Sequence, residues 1–136
     1  MRADRWLVLE AAALVALVRA AFRLTSFAAT RRLLERCAWR RSDPPHATAA
    51  AATAARVGAA TRAAARRLPG TTCLVEALTA ETMLRRRGVE STLHIGVRAP
   101  APATPLDAHA WLECAGLVVV GDAADLAQYR ILTRPS

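Results

Sequence analysis

The 136-residue chain contains no lysine: all 19 of its basic residues are arginine, set against 11 acidic ones, for a formal charge of +8. Such an excess favours acidic partners, yet the arginines are scattered without aromatic residues between them, which argues against a nucleic-acid surface. Aromatic residues are themselves scarce, at three Trp, two Phe and one Tyr. A core this short of large rings has to be packed from Leu, Val and Ala, which suits small interlocking helices. Cysteines number three, Cys37, Cys73 and Cys114, odd in count and widely spaced, with no Cys-x-x-Cys pair and no zinc-ligand pattern. That pattern speaks against a disulfide framework and points to a reducing cytoplasm, where one thiol is free for chemistry. Long apolar runs are missing too. The uninterrupted run 11–18 is bracketed by Glu10 and Arg19 and is followed by no small-x-small cleavage site. A spanning helix needs about 20 apolar residues, so the segment reads as a buried or membrane-leaning helix, not a signal peptide or anchor.

The length fits one domain, residues 1–136, with a helical half over 1–68 and a second half of different character over 69–136. Residues 6–24 are apolar nearly all round, and Phe27, Leu33, Leu34 and Cys37 recur at helical spacing after the candidate caps Thr25 and Ser26. Ser42, Asp43, Pro44 and Pro45 break the pattern, because proline cannot continue a helix. The alanine-rich stretch 47–68 predicts a third helix, weakened in its middle by Gly58 and ended by Pro69 and Gly70. A fourth runs from Thr72 to a left-handed stop at Gly88, with Glu76 and Glu81 early and Arg85, Arg86 and Arg87 at its solvated end. Residues 91–98, 107–114 and 117–121 alternate as strands, Ala115 and Gly116 form a turn, and 129–132 adds a short fourth strand. The expected fold is therefore α+β, a helical N-terminal half and a small antiparallel sheet packed on the Cys73 helix.

Cys73 follows the Pro69-Gly70 break and opens a helix. Unpaired backbone N–H groups and the positive end of the helix dipole stabilise a thiolate at such a position, and the same N–H groups can donate to an oxyanion. A two-residue turn at Ala115-Gly116 pairs Cys114 with Leu117 and, carried along the hairpin, sets His109 opposite Asp122. Opposed side chains have β-carbons about 4.5–5.5 Å apart, close enough for a carboxylate to hold an imidazole. A shift of register would bring in Asp125, the reserve candidate. Strand parity puts His109, Trp111 and Glu113 on one face and Cys114 on the other, so Cys114 and His109 cannot share a metal. His94 reads as an ordinary half-exposed histidine, His46 as solvated and Cys37 as core filler.

The segments Cys73-Leu74-Val75-Glu76-Ala77-Leu78, Arg85-Arg86-Arg87-Gly88-Val89, His94-Ile95-Gly96-Val97 and Ala108-His109-Ala110-Trp111-Leu112-Glu113 resemble the transglutaminase-like leader peptidases of lasso peptide biosynthesis. The likeness covers residues 64–123, with weaker similarity in the N-terminal helices. It implies a papain-like cysteine protease core with Cys73 as nucleophile, His109 as base and Asp122 as its acidic partner, and neither metal nor cofactor. One departure from the family pattern is an extra residue in the run 117–120, ahead of Gly121-Asp122. The resemblance also implies a precursor peptide as substrate, a separate leader-binding protein, since no winged-helix module is present here, and a macrocyclase acting alongside. Two other readings stand beside this one. The same triad could transfer the acyl group to an amine, as true transglutaminases do, or the chain could be a non-catalytic adaptor whose apolar N-terminal helices dock a partner or a membrane surface.

Overall fold

Caps and breakers set the helix ends much as their chemistry dictates. In the structure, a computed structural model describing residues 2–38, 46–98, 105–122 and 125–132, α1 spans Arg2–Leu24 and α2 spans Phe27–Cys37. The Ser26 hydroxyl accepts the Ala29 N–H at 3.2 Å and so starts α2. Helix α3 (Ala47–Arg67) begins after His46, which is exposed and makes no side-chain cap. Helix α4 (Cys73–Arg86) starts on the Thr72 hydroxyl, which accepts from Val75 N–H at 3.3 Å. It stops at Gly88, whose φ of 73° lets the Val89 N–H reach back to the Leu84 carbonyl at 2.9 Å. The expected proline break at 42–45 and most of the loop at 99–105 lie outside the described residues.

Helix α4 is the centre of the molecule, packed against α1, α2 and α3 and also against β1, β2 and β3 of the sheet. Leu78, Met83 and Leu84 are wholly buried, each worth about 1.5–3 kcal/mol relative to exposure. The helix that opens with Cys73 is thus anchored along its length, so its first turn is held rigidly. Polar contacts add to the packing. Arg31 of α2 meets the buried carboxylate of Glu81 at 2.7 Å, and Glu10 of α1 accepts from Arg86 at 3.1 Å and from Arg87 at 2.6 Å. Arg86 and Arg87 are half-buried clasps between α1 and the end of α4, where the sequence suggested a solvated helix end. Helix α1 is not buried all round either. Leu7, Ala11, Leu14, Val15, Val18 and Ala21 form its inner face, while Trp6 (71% exposed) and Leu24 (82%) look outward. Among the described residues no helix is long and apolar enough to cross a membrane.

The sheet is antiparallel in the order β3-β2-β1-β4, built from β1 (Thr92–Arg98), β2 (Asp107–Cys114), β3 (Leu117–Val120) and β4 (Arg130–Ile131). Ala115 and Gly116 both take positive φ, 53° and 78°, as a tight two-residue hairpin turn requires. Cys114 pairs with Leu117 and Glu113 with Val118, the register expected from the sequence, but the next pair is Leu112 with Val120. Val119 is the additional residue of a β-bulge, and beyond it the pairing that would set His109 opposite Asp122 no longer applies. Helix α3 packs directly on the bulge. A Cβ at Gly58 would stand 2.5 Å from the Val119 carbonyl oxygen, and Arg62 Nη1 donates to that same oxygen at 2.6 Å. Gly58, which weakens the helix on propensity, is there to let α3 close on the bulge.

Candidate active site

Cys73, His109 and Asp122 line one open cleft of about 570 Å³, together with Arg62, Glu76, Val118 and Gly121. Three elements build it. Helix α4 presents Cys73 at its first position, and the cap takes only the Val75 amide, so among the described residues nothing claims the amides of Cys73 and Leu74. Strand β2 presents His109, half-buried. The chain leaving the bulge brings in Gly121 and Asp122.

The His109 ring is held on several sides. Its Nε2 lies 2.6 Å from the Gly121 carbonyl oxygen. A carbonyl can only accept, so Nε2 carries the proton and donates, and Nδ1 keeps its lone pair. Trp111 and Tyr129 flank the ring at centroid distances of 6.0 and 5.6 Å. Both can approach because Gly96, the β1 residue opposite His109, has no side chain; a Cβ there would lie 2.9 Å from Tyr129 Cβ and 3.1 Å from Trp111 Cζ3. Tyr129 is fixed in turn by its hydroxyl, which donates to Asp107 at 2.7 Å, and by the guanidinium of Arg98 lying 4.9 Å over its ring. Arg98 also bonds Asp107 at 3.1 Å and pairs with Asp125. The Tyr129 and Arg98 hydrogen bonds hold the Asp107 carboxyl below its ordinary range.

The sequence candidates therefore separate. Asp125, the reserve carboxylate, is committed to Arg98 and supports the Tyr129 wall instead of His109. Asp122 is exposed at the cleft and, among the described residues, makes no hydrogen bond to the imidazole. His94 stacks on Trp111 at 5.3 Å and meets Glu113 at 3.4 Å, a packed sheet histidine. Of the other cysteines, Cys114 is buried, with its thiol pushed up by that burial, and Cys37 is half-buried at the last position of α2. A concavity of about 610 Å³ at the far end of α4 is lined by Arg85, Glu90, Glu113 and Cys114 but by no histidine. It offers a thiol no imidazole.

Two cleft residues escaped sequence reasoning. Glu76 stands three residues after Cys73, on the same face of α4, and that spacing was a usable signal. Arg62 comes from another helix and had none. Burial raises the Glu76 carboxyl above its ordinary value, against the opposing pull of Arg62, Arg66 and His109. Because the folded-state value is the higher one, the fold favours the neutral form, and stability is lost as pH rises through it. Glu76→Gln should accordingly raise the melting temperature by about 1–3 °C at neutral pH, under about 0.5 kcal/mol given partial solvent screening. The gain should vanish on acidification, which a pH series of thermal melts measures directly.

No group of three His, Cys, Asp or Glu side chains among the described residues is placed to hold a metal ion. The arrangement is a thiol at a helix N-terminus and a histidine lining the same cleft. The transglutaminase-like superfamily model matches residues 11–134. The chain belongs to the transglutaminase-like superfamily. No curated protein and no solved structure matches it. The family match takes in both the helical half and the sheet, consistent with an α+β transglutaminase-like domain. Membership points to thiol chemistry of the cysteine peptidase or acyltransferase kind.

Proposed function

We propose that this transglutaminase-like protein is a cytoplasmic cysteine peptidase that removes the leader from a ribosomally made lasso peptide precursor. The observation that carries the reading is the convergence of Cys73, His109 and Asp122 on one cleft, with Cys73 on the opening turn of α4. In the first step the Cys73 thiol proton passes to His109 Nδ1 and the sulfur attacks the scissile carbonyl. The amides of Cys73 and Leu74 at the opening turn of α4 donate to the resulting oxyanion. Collapse breaks the C–N bond, the imidazolium protonates the leaving amine of the core peptide, and the leader remains on sulfur as a thioester. Water, deprotonated by His109, then releases the leader as a carboxylate and regenerates the thiol. The Asp122 carboxylate at the cleft stabilises the imidazolium through its charge.

A separate leader-binding protein completes the proposal, and it acts by raising the local concentration of the scissile bond. The deciding experiment incubates the chain with a precursor and its leader-binding protein in the presence of methylamine, followed by mass spectrometry. A free leader carboxylate with a new core N-terminus is the expected result, formed much faster with the leader-binding protein than without it. A leader carrying methylamine would make the protein an acyltransferase. An intact precursor under all conditions, with the three cysteines alkylated slowly and alike, would make it an adaptor.

A further inference from the structure

We propose that the main-chain carbonyl of Gly121, and not a carboxylate, is the group that orients the His109 imidazole and so makes Nδ1 the proton-accepting nitrogen. The role assigned to that nitrogen rests on the reading of Cys73 and His109 as nucleophile and base. The hydrogen bond itself is short, 2.6 Å from Nε2 to the Gly121 oxygen, and its polarity is settled because the oxygen has no proton to give. The carbonyl reaches the ring through a backbone arrangement open only to glycine. Gly121 has φ +83°, and a Cβ on it would lie 2.5 Å from the Ala110 carbonyl oxygen and 2.8 Å from Trp111 Cβ.

The bulge explains why a carbonyl occupies this place. A regular ladder that paired Val119 would carry the Asp122 side chain opposite His109; with Val119 unpaired, Leu112 faces Val120, Gly121 comes to lie beside Trp111, Asp122 is moved off that position, and the Gly121 carbonyl is the group that meets the ring. Arg62 of α3 holds the bulge by donating to the Val119 carbonyl, in the space left by Gly58. Gly121 is thus a positioning residue, and the Arg62 contact is the support behind it. During proton transfer the S–H bond of Cys73 breaks and an N–H bond forms at Nδ1, while Nε2 keeps its proton on the Gly121 oxygen throughout. The negative end of the carbonyl dipole faces the imidazolium so formed and favours it.

The test is nuclear magnetic resonance on uniformly ¹³C,¹⁵N-labelled protein, with His109 assigned by the loss of its signals in His109→Gln. The expected result is an Nε2 proton protected from solvent exchange and a scalar coupling from Nε2 across the hydrogen bond to the Gly121 carbonyl carbon. Both should persist in Asp122→Ala, and in Gly121→Ala the protected proton should be lost. Coupling to the Asp122 carboxylate carbon, or an Nε2 proton that exchanges freely in the unmodified protein, overturns the proposal. If Gly121→Ala does not fold, the native protein and Asp122→Ala still decide between the two acceptors. No substrate enters this measurement. A failure of the peptidase reading would appear in the precursor assay and leave the coupling untouched.

Discussion

Cys73→Ala should reduce precursor cleavage to the uncatalysed level, a loss of at least about 10⁴-fold, while leaving the melting temperature nearly unchanged. No other side chain in the cleft can replace the sulfur: its neighbours are an arginine, two carboxylates, a histidine, a valine and a glycine. The substitution removes one atom from a half-buried helix start whose cap, Thr72, is retained. Cys37→Ala should leave the rate largely intact. Cys114→Ala should leave it intact too, at a cost of about 1 kcal/mol in stability, because that thiol is packed in the core against the α3 and β3 side of the sheet. Leader release followed by mass spectrometry, with a thermal melt on each variant, separates these outcomes. Cleavage that survives in the Cys73 variant would remove the thiol from the mechanism.

His109→Gln should lower the rate by about 10²–10⁴-fold, the usual worth of a positioned general base. Glutamine is a telling replacement because its amide can still donate to the Gly121 carbonyl, which keeps the cleft wall intact but supplies no nitrogen that accepts a proton near neutrality. The contrast with Asp125→Asn isolates catalysis from support. Asp125 bonds Arg98, which lies over Tyr129, which flanks the imidazole. Its loss should therefore loosen one wall, with a smaller rate effect than losing the base and a lower melting temperature. Steady-state rates and melts on the two variants check both expectations. Equal rate losses in the two would mean that the imidazole acts only through packing.

Much of this molecule was legible residue by residue. Thr25 or Ser26 was readable as a cap, Thr72 as a helix start, Gly88 as a left-handed stop, Ala115-Gly116 as a two-residue turn and 107–114 as a strand, because each is decided by interactions within a few residues of itself. The same locality made Cys73 readable as the opening residue of a helix, and period-two alternation put His109 on the face shared with Trp111 and Glu113. Together with motif resemblance, that was enough to name the α+β fold and the thiol and imidazole facing one cleft. It was not enough to identify what holds the imidazole. Hairpin arithmetic placed Asp122 opposite His109 on the assumption of a regular ladder, and a ladder's regularity is not a local property. The Val119 bulge packs on α3, some sixty residues earlier, where Arg62 donates to its carbonyl and Gly58 leaves the room for it. Tertiary packing likewise drew Asp125 away to Arg98, set Tyr129 beside the ring across the gap left by Gly96, and turned Arg86 and Arg87 inward to Glu10. Short-range chemistry chose the elements and the reactive atoms; contacts between residues far apart in the chain set the register, and the register decided which group His109 bonds.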